Sequence, residues 1–356
     1  MIKKVEQNNF KFMNFLACDL GGTKVLLGIF KKDVNDESPN LIIKKKYISS
    51  EWVSFELILE DFLKNECRNF THPSSACLAV AGPVSGNNAK IINLSWNISG
   101  KALKNKFNFK SCELINDFAV QIYGIPFLKK NQYLTIQSGE IAEGDNKDLH
   151  AIVGAGTGLG IARGLISGEK VKVLASEGGH VEYSPKSKLE WELKVWLKNY
   201  LKIERISSER IISGTGLSRI AEWRLSKPDA QNHPLQEYLN KIKIFDAARK
   251  ELPEKICNLS KEGDQLMIEI ERIWLDAYAS LLGDVALQEL CYGGLWISGG
   301  TAPKHFRNFK SDLFMKQFLD KGRLKDILKT IPVKVILDEE FGLFSAACRA
   351  QMLLKI

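Results

Sequence analysis

Cys18-Asp19-Leu20-Gly21-Gly22-Thr23-Lys24 lies between two apolar runs, Phe15-Leu16-Ala17 and Val25-Leu26-Leu27-Gly28-Ile29-Phe30. The pattern predicts a strand, a tight turn and a second strand. Paired glycines can take positive φ and leave bare backbone for a ligand to approach. Thr23 adds a hydroxyl and Asp19 a carboxylate at the same edge, so the turn could hold a phosphate and its metal ion. Taken alone, the stretch reads more simply as an ordinary Gly-Gly hairpin. Its meaning depends on what the rest of the chain supplies.

Outward from this turn, strands are expected at about 14–19, 25–30 and 41–48. A helix follows, with Ser54 as a candidate N-cap and Phe55, Ile58, Leu59, Phe62 and Leu63 at helical spacing. A buried strand at 76–81 stops at Gly82-Pro83, a turn at 85–88 leads to a short strand near 89–92, and a short helix lies around 99–106. The strand 112–115 then delivers Asn116-Asp117 to the start of a helix. A meander followed by strands that enter through helices implies one sheet with mixed antiparallel and parallel pairing.

A second set opens near His150, where two strands flank Gly154-Ala155-Gly156-Thr157-Gly158-Leu159-Gly160 and a third strand covers 171–174. Helices are expected at 188–203, 216–226, 236–251 and 263–291, with a surface loop at 228–235. The strand 295–298, a helix after Pro303, a strand at 333–337 and a helix from 341 complete the pattern. The same glycine hairpin therefore opens both halves of the chain.

The bulk properties narrow the classes. At 356 residues the chain is long enough for two domains, and 45% apolar content supplies sizeable cores. The net charge of +8 suits phosphorylated substrates. No concentrated basic stripe with interleaved aromatics is present, so no nucleic-acid partner is expected. The seven cysteines are irregularly spaced without a Cys-x-x-Cys pair, which points to free thiols in a reducing compartment. No apolar run reaches membrane-spanning length, and residues 1–13 are polar and basic, read as a disordered tail. The expected protein is soluble and cytoplasmic, with no membrane partner.

The Gly154 cluster departs from the dinucleotide fingerprint, which would place glycine where Leu159 stands and would open a helix rather than a return strand. No Walker A motif occurs. A glycine hairpin with Thr157 can still cradle phosphate through backbone N–H groups, although a purely structural hairpin has the same look. Gly299-Gly300-Thr301-Ala302-Pro303 is a third glycine turn, running from strand into helix, where nucleotide groups can sit. Asp117 stands at a strand's carboxyl end, where catalysis tends to lie in α/β folds, though either Asn116 or Asp117 could serve as a helix cap. Glu177-Gly178-Gly179-His180 places a carboxylate and an imidazole where they can hydrogen-bond vicinal hydroxyls, and Glu209 is another carboxylate near a glycine turn.

In this order the three glycine turns resemble the two phosphate motifs and the adenosine motif of the sugar kinase–Hsp70–actin superfamily. More closely, Leu114-Ile115-Asn116-Asp117-Phe118, Gly154 to Gly160, Glu177-Gly178-Gly179-His180-Val181 and Ser208-Glu209-Arg210-Ile211-Ile212-Ser213-Gly214 resemble the bacterial ATP-dependent glucokinases. The resemblance runs from about residue 14 to the end of the sequence. It implies two ribonuclease H-like α/β domains flanking a cleft, the actin-like ATPase/hexokinase fold. The small domain would take 14–127 plus 338–356 and the large one 128–337, usually as a homodimer. It also implies Asp117 as catalytic base and Asn116, Glu177, His180 and Glu209 as glucose ligands, with Asn93 in the loop lining the sugar site. ATP phosphates would be bound by Asp19, Gly21, Gly22, Thr23, Gly154, Gly156, Thr157, Gly158, Gly299 and Gly300, with Asp19 orienting Mg2+ through water.

Two departures stand out. Gly22-Thr23-Lys24 replaces the family's usual Gly-Gly-Thr-Asn form and is closer to the related repressor–kinase family. That relative carries a cysteine zinc cluster after Gly-His-Val, whereas Glu182-Tyr183-Ser184-Pro185 follows here. Gly214-Thr215-Gly216 stands where Gly-Pro-Gly is more usual. The expectation is a glucokinase using ATP. The rivals are a kinase for another hexose or an N-acetylated aminosugar, a polyphosphate-dependent enzyme, a sugar-binding regulator and an actin- or Hsp70-like ATPase scaffold.

Overall fold

The computed structural model describes residues 13–32, 37–140, 147–174, 176–244, 249 and 251–354. The tail expected over 1–13 lies, apart from Met13, outside the described residues, as does part of the helix expected over 236–251. The chain separates into two compact units. Unit 1 takes the segments up to Leu128 and from Glu340 onward, and unit 2 takes Lys129–Glu339.

Unit 1 is built on β1 (Asn14–Leu20), β2 (Lys24–Lys31), β3 (Asn40–Ile48) and β4 (Ser75–Val80). The short β5 (Val84–Ser85), β6 (Asn88–Ile91) and β7 (Trp96–Ser99) form a separate small sheet, and β8 (Ser111–Asn116) closes the main one. The main sheet has the order β3-β2-β1-β4-β8. β1 to β3 are an antiparallel meander, while β1, β4 and β8 run parallel. β4 is buried along its whole length, as a parallel central strand covered on both faces should be. One face packs Leu16, Cys18, Leu20, Leu78 and Val80 with Phe55, Ile58 and Leu59 of the helix Phe55–Asp61. The other is covered by the helix Phe341–Met352, which packs on β1 and β4. Ser75 Oγ donates to the Ala350 carbonyl at 2.6 Å, and Arg349 Nε reaches Glu113 Oε2 at 2.6 Å.

Unit 2 repeats the plan. It holds β9 (Tyr133–Gln137), β10 (Leu149–Ala155), β11 (Leu159–Ser167), β12 (Lys170–Leu174), β13 (Gly294–Ser298) and β14 (Val333–Ile336) in the order β12-β11-β10-β13-β14-β9. β10 to β12 are antiparallel, β10, β13 and β14 parallel, and β9 adds an antiparallel edge. Both units thus share the ribonuclease H-like arrangement of a meander joined to parallel strands. The helix Gln265–Glu289 forms the spine of the second core, with Trp274, Tyr278 and Leu282 fully buried. Asp264 caps it, accepting from the Leu266 and Met267 N–H groups.

Several local expectations change. The segment after Asp117 is a 3-10 helix, Ala119–Phe127, with Pro126 inside it, rather than an α-helix. Ser54 precedes its helix without a side-chain capping bond. The expected 228–235 loop contains a 3-10 turn at Pro228–Ala230. β7, β9 and the helices Leu252–Lys261, Asp312–Phe318 and Lys325–Thr330 were not expected from the sequence. All seven cysteines are free thiols, six of them buried. Among the described residues no helix is long and apolar enough to cross a membrane.

Candidate active site

In unit 1 the parallel strands β1, β4 and β8 finish at one sheet edge, with Leu20 in register with Val80 and Val80 with Asn116. The chain leaves each strand in turn. Ala81 N–H donates to the Leu20 carbonyl and Asp117 N–H to the Val80 carbonyl, both at 2.9 Å. This ladder fixes where Asp117 begins. At the same edge Asp19 is the one exposed residue of β1. The Gly21-Gly22-Thr23 turn beside it is closed by Gly21 N–H on the Lys24 carbonyl at 3.0 Å and braced by Ser49, whose N–H reaches the Thr23 carbonyl at 3.1 Å. Asn93 is exposed and stands over the turn. A Cβ placed on Gly22 would lie 3.9 Å from its Nδ2.

Asn116 makes the capping bonds that the sequence allowed. Its Oδ1 accepts from the N–H groups of Phe118 and Ala119, both at 3.0 Å, which caps the 3-10 helix. Its Nδ2 donates to Asp117 Oδ1 at 3.0 Å and to the Gly82 carbonyl at 3.3 Å. Burial pushes the Asp117 carboxyl up to about 6, and the nearby Asp19 charge pushes it the same way. The N–H groups of Phe118 and of Asp117 itself and the Asn116 amide pull it back. Asp19 is also raised by desolvation, against the pull of Lys24 and with a further push from Glu340.

Asn116→Ala removes a cap and one hydrogen bond to the Asp117 carboxylate. The expected outcome is a loss of about 1 kcal/mol of stability in chemical denaturation. The Asp117 pKa should also move further up, visible in any pH–rate profile that reports it.

In unit 2 the Gly156-Thr157-Gly158 turn joins β10 to β11, closed by Gly156 N–H on the Gly158 carbonyl at 2.8 Å. The start of the helix Gly214–Leu225 pins it. Gly214 N–H donates to the Gly156 carbonyl at 2.8 Å, and Thr215 Oγ1 to the Thr157 carbonyl at 3.2 Å. Thr215, the departure from the more usual proline, therefore makes a bond proline could not. Glu209 reaches the same turn, its Oε2 accepting from Leu159 N–H at 3.2 Å. A Cβ on Gly158 would lie 2.6 Å from that oxygen, so glycine is what admits the carboxylate.

Glu177 and His180 lie at the two ends of a 3-10 turn, both exposed, with Oε2 and Nε2 3.7 Å apart. The turn sits on β11 because Gly179 has no side chain: a Cβ there would meet the Leu159 carbonyl oxygen at 2.0 Å. Arg205 donates to the His180 carbonyl at 2.7 Å, and Ser208 N–H to the Val181 carbonyl at 2.8 Å. Glu177, His180 and Glu209 are therefore all anchored around the first residues of β11. The third glycine turn joins them through β10. Gly299, at φ +88°, presses on the Ala155 backbone, and Thr301 Oγ1 donates to the Ala155 carbonyl at 2.7 Å. Thr301, Arg205 and Ser49 were missed by the sequence reading. Thr301 was within the quoted motif; the other two carry no local signal.

A family model described as Glucokinase matches residues 16–353. The chain belongs to the glucokinase family. It is 36% identical to the glucokinase of Synechocystis sp., over 95% of this chain and 98% of that one. It is 34% identical to the glucokinase of Nostoc sp., over 95% and 99%. Among solved structures, a glucokinase from an Antarctic psychrotroph has a TM-score of 0.76 at 27% identity, covering 96% of this chain and all of that one. A Balamuthia mandrillaris glucokinase in complex with glucose has a TM-score of 0.73 at 19% identity, covering 97% and 95%, a likeness of fold. Three glycine turns, each seated on backbone at a strand end, are the frame on which this family member carries its charged groups.

Proposed function

We propose that this chain transfers the γ-phosphate of ATP to the 6-hydroxyl of D-glucose, giving glucose 6-phosphate and ADP, the entry step of glycolysis. The observation that carries this reading is Asp117: a strand-end carboxylate held near pKa 6, fixed by Asn116 and set beside a glycine turn. Such a group is ionised at neutral pH yet basic enough to take a proton from a hydroxyl as it attacks. Phosphoryl transfer asks the protein mainly for positioning and charge stabilisation. The glycine turns offer backbone N–H groups to phosphate oxygens. Glu177, His180, Glu209 and Asn93 offer hydrogen bonds to sugar hydroxyls, with Asn116 holding the base as well.

The donor set around Asp19 is carboxylate, hydroxyl and backbone oxygen, which fits a hard cation such as Mg2+ and not a soft one. The Asp19 charge that raises the Asp117 carboxyl also favours a cation nearby. Asp19 would hold it through water, and the ion would neutralise phosphate charge. A cytoplasmic homodimer is part of the same proposal, supported by the family and by the free thiols.

The test is a coupled assay of glucose 6-phosphate formation with ATP, run beside mannose, N-acetylglucosamine and polyphosphate. Turnover with ATP and glucose is expected to exceed every other pair, and a faster aminosugar or polyphosphate reaction overturns the reading. The rate kcat/KM should fall about tenfold per pH unit below roughly pH 6, because protonated Asp117 cannot act as a base. His180→Ala should raise the glucose KM while leaving the far-ultraviolet circular dichroism spectrum unchanged, since the side chain is exposed.

A further inference from the structure

Away from the glycine turns, three helices of unit 2 converge on Cys257, Glu271 and His305. They are Leu252–Lys261, Gln265–Glu289 and Ala302–Phe309. A thiol sulfur, a carboxylate oxygen and an imidazole nitrogen lie there within 4.8 Å of one another. His305 is only 3% exposed, its ring 5.0 Å from that of Trp274. Its Nε2 is 3.6 Å from Cys257 Sγ. Its Nδ1 comes within 2.8 Å of Glu271 Oε1 without an aligned hydrogen bond and is otherwise unpartnered. Glu271 is held by Ser260 Oγ at 2.6 Å and Asn308 Nδ2 at 2.9 Å. These two bonds fix the carboxylate beside the imidazole.

The plain alternative is a hydrogen-bonded packing cluster, with the thiol donating weakly to the imidazole. The geometry favours more than that. Tetrahedral zinc, with bonds of about 2.3 Å to sulfur and 2.0–2.1 Å to nitrogen, holds the two donors about 3.5 Å apart. The observed 3.6 Å matches that edge. A carboxylate behind the imidazole is also the usual means of orienting a metal-binding histidine. The sulfur and imidazole suit a softer cation than the all-oxygen edge around Asp19.

We propose that Cys257 Sγ and His305 Nε2, with Glu271 as the orienting carboxylate, form a site for a thiophilic divalent cation of zinc-like chemistry. Water completes the coordination from the side of Cys257, which is partly exposed while His305 is buried. The thiol releases its proton to solvent as the sulfur binds. His305 lies in the first turn of the helix that follows Gly299-Gly300-Thr301, so the ion ties that helix to Leu252–Lys261 behind the third glycine turn.

The site is independent of the kinase reading and is tested without turnover. Full-length protein stripped by a chelator is titrated with Co2+, whose bond to a thiolate gives a charge-transfer absorption band. One Co2+ per chain is expected, displaced by Zn2+. Cys257→Ser should abolish the band, and Glu271→Gln should keep it while weakening affinity about 10–100-fold. Zn2+ should raise the thermal midpoint of the wild type and not that of Cys257→Ser. No band in the wild type, or an undiminished one in Cys257→Ser, overturns the site. If Cys257→Ser does not fold, His305→Gln keeps every cysteine, and undiminished Co2+ affinity in that variant overturns it equally.

Discussion

Asp117→Asn should lose about 10²–10⁴-fold in glucose phosphorylation and at the same time become more stable. The first effect follows from removing the base while keeping its shape, since an amide can still accept the Asn116 bond. The second follows from linkage. The folded carboxyl is raised from 3.8 to about 6, so the folded state prefers the protonated form. Its contribution to stability is fully present below pH 3.8 and is lost as pH rises through about 6. At pH 7 the ionised Asp117 opposes folding, by up to about 3 kcal/mol. A neutral asparagine removes that opposition, so the denaturant midpoint should rise at pH 7 and the gain should vanish near pH 4. An active Asp117→Asn enzyme, or one destabilised at pH 7, contradicts the assignment.

Gly179→Ala should damage both the fold of unit 2 and the reaction. The added carbon would lie 2.0 Å from the Leu159 carbonyl oxygen and 3.0 Å from its carbon, both backbone atoms of β11. Backbone cannot swing aside as a side-chain tip can, so the 177–180 turn must lift off the strand. Overpacking of this kind destabilises by about 1–3 kcal/mol. The functional loss should be larger, because Glu177 and His180 flank the displaced residue, and a misplacement of about 1 Å can remove on the order of 100-fold in rate. Gly178→Ala is the control. Its methyl would meet Ser176 Oγ at 3.1 Å and Ile161 Cδ1 at 3.2 Å, both movable side-chain atoms. Glucose KM and denaturant midpoint measured for both variants should separate them, and equal effects would falsify this account of the turn.

The glycines were the legible part of the chain because their job is local. A turn that must admit bare backbone or take positive φ writes itself into a few adjacent positions, as at Gly21-Gly22 and Gly299-Gly300. Strands β1, β2 and β10 were legible for the same reason, being continuous apolar runs. What the chain does not write locally is pairing at a distance. β9 is a short, half-buried edge strand whose partner, β14, lies some two hundred residues away, so nothing near Tyr133–Gln137 announces it. The same holds for Glu209, whose carboxylate accepts from Leu159 N–H in space that Gly158 leaves open, some fifty residues earlier in the chain. Asn116 shows a third limit. Its residue type permits both a cap and a ligand, and only the positions of Phe118, Ala119 and Gly82 decide which hydrogen bonds it makes.

The helix Phe341–Met352 gives the order of synthesis a structural meaning. It covers β1 and β4 and supplies Arg349 and the Ala350 carbonyl to Glu113 and Ser75, yet it leaves the ribosome after all of unit 2. Strands made first must therefore wait, with one apolar sheet face uncovered, while about two hundred residues are translated and unit 2 is free to fold as a contiguous segment. During that interval the nascent chain exposes Phe15, Ala17 and Cys77 to whatever holds unfinished chains. The strand edge that bears Asp117 gains its backing helix only after unit 2 has emerged.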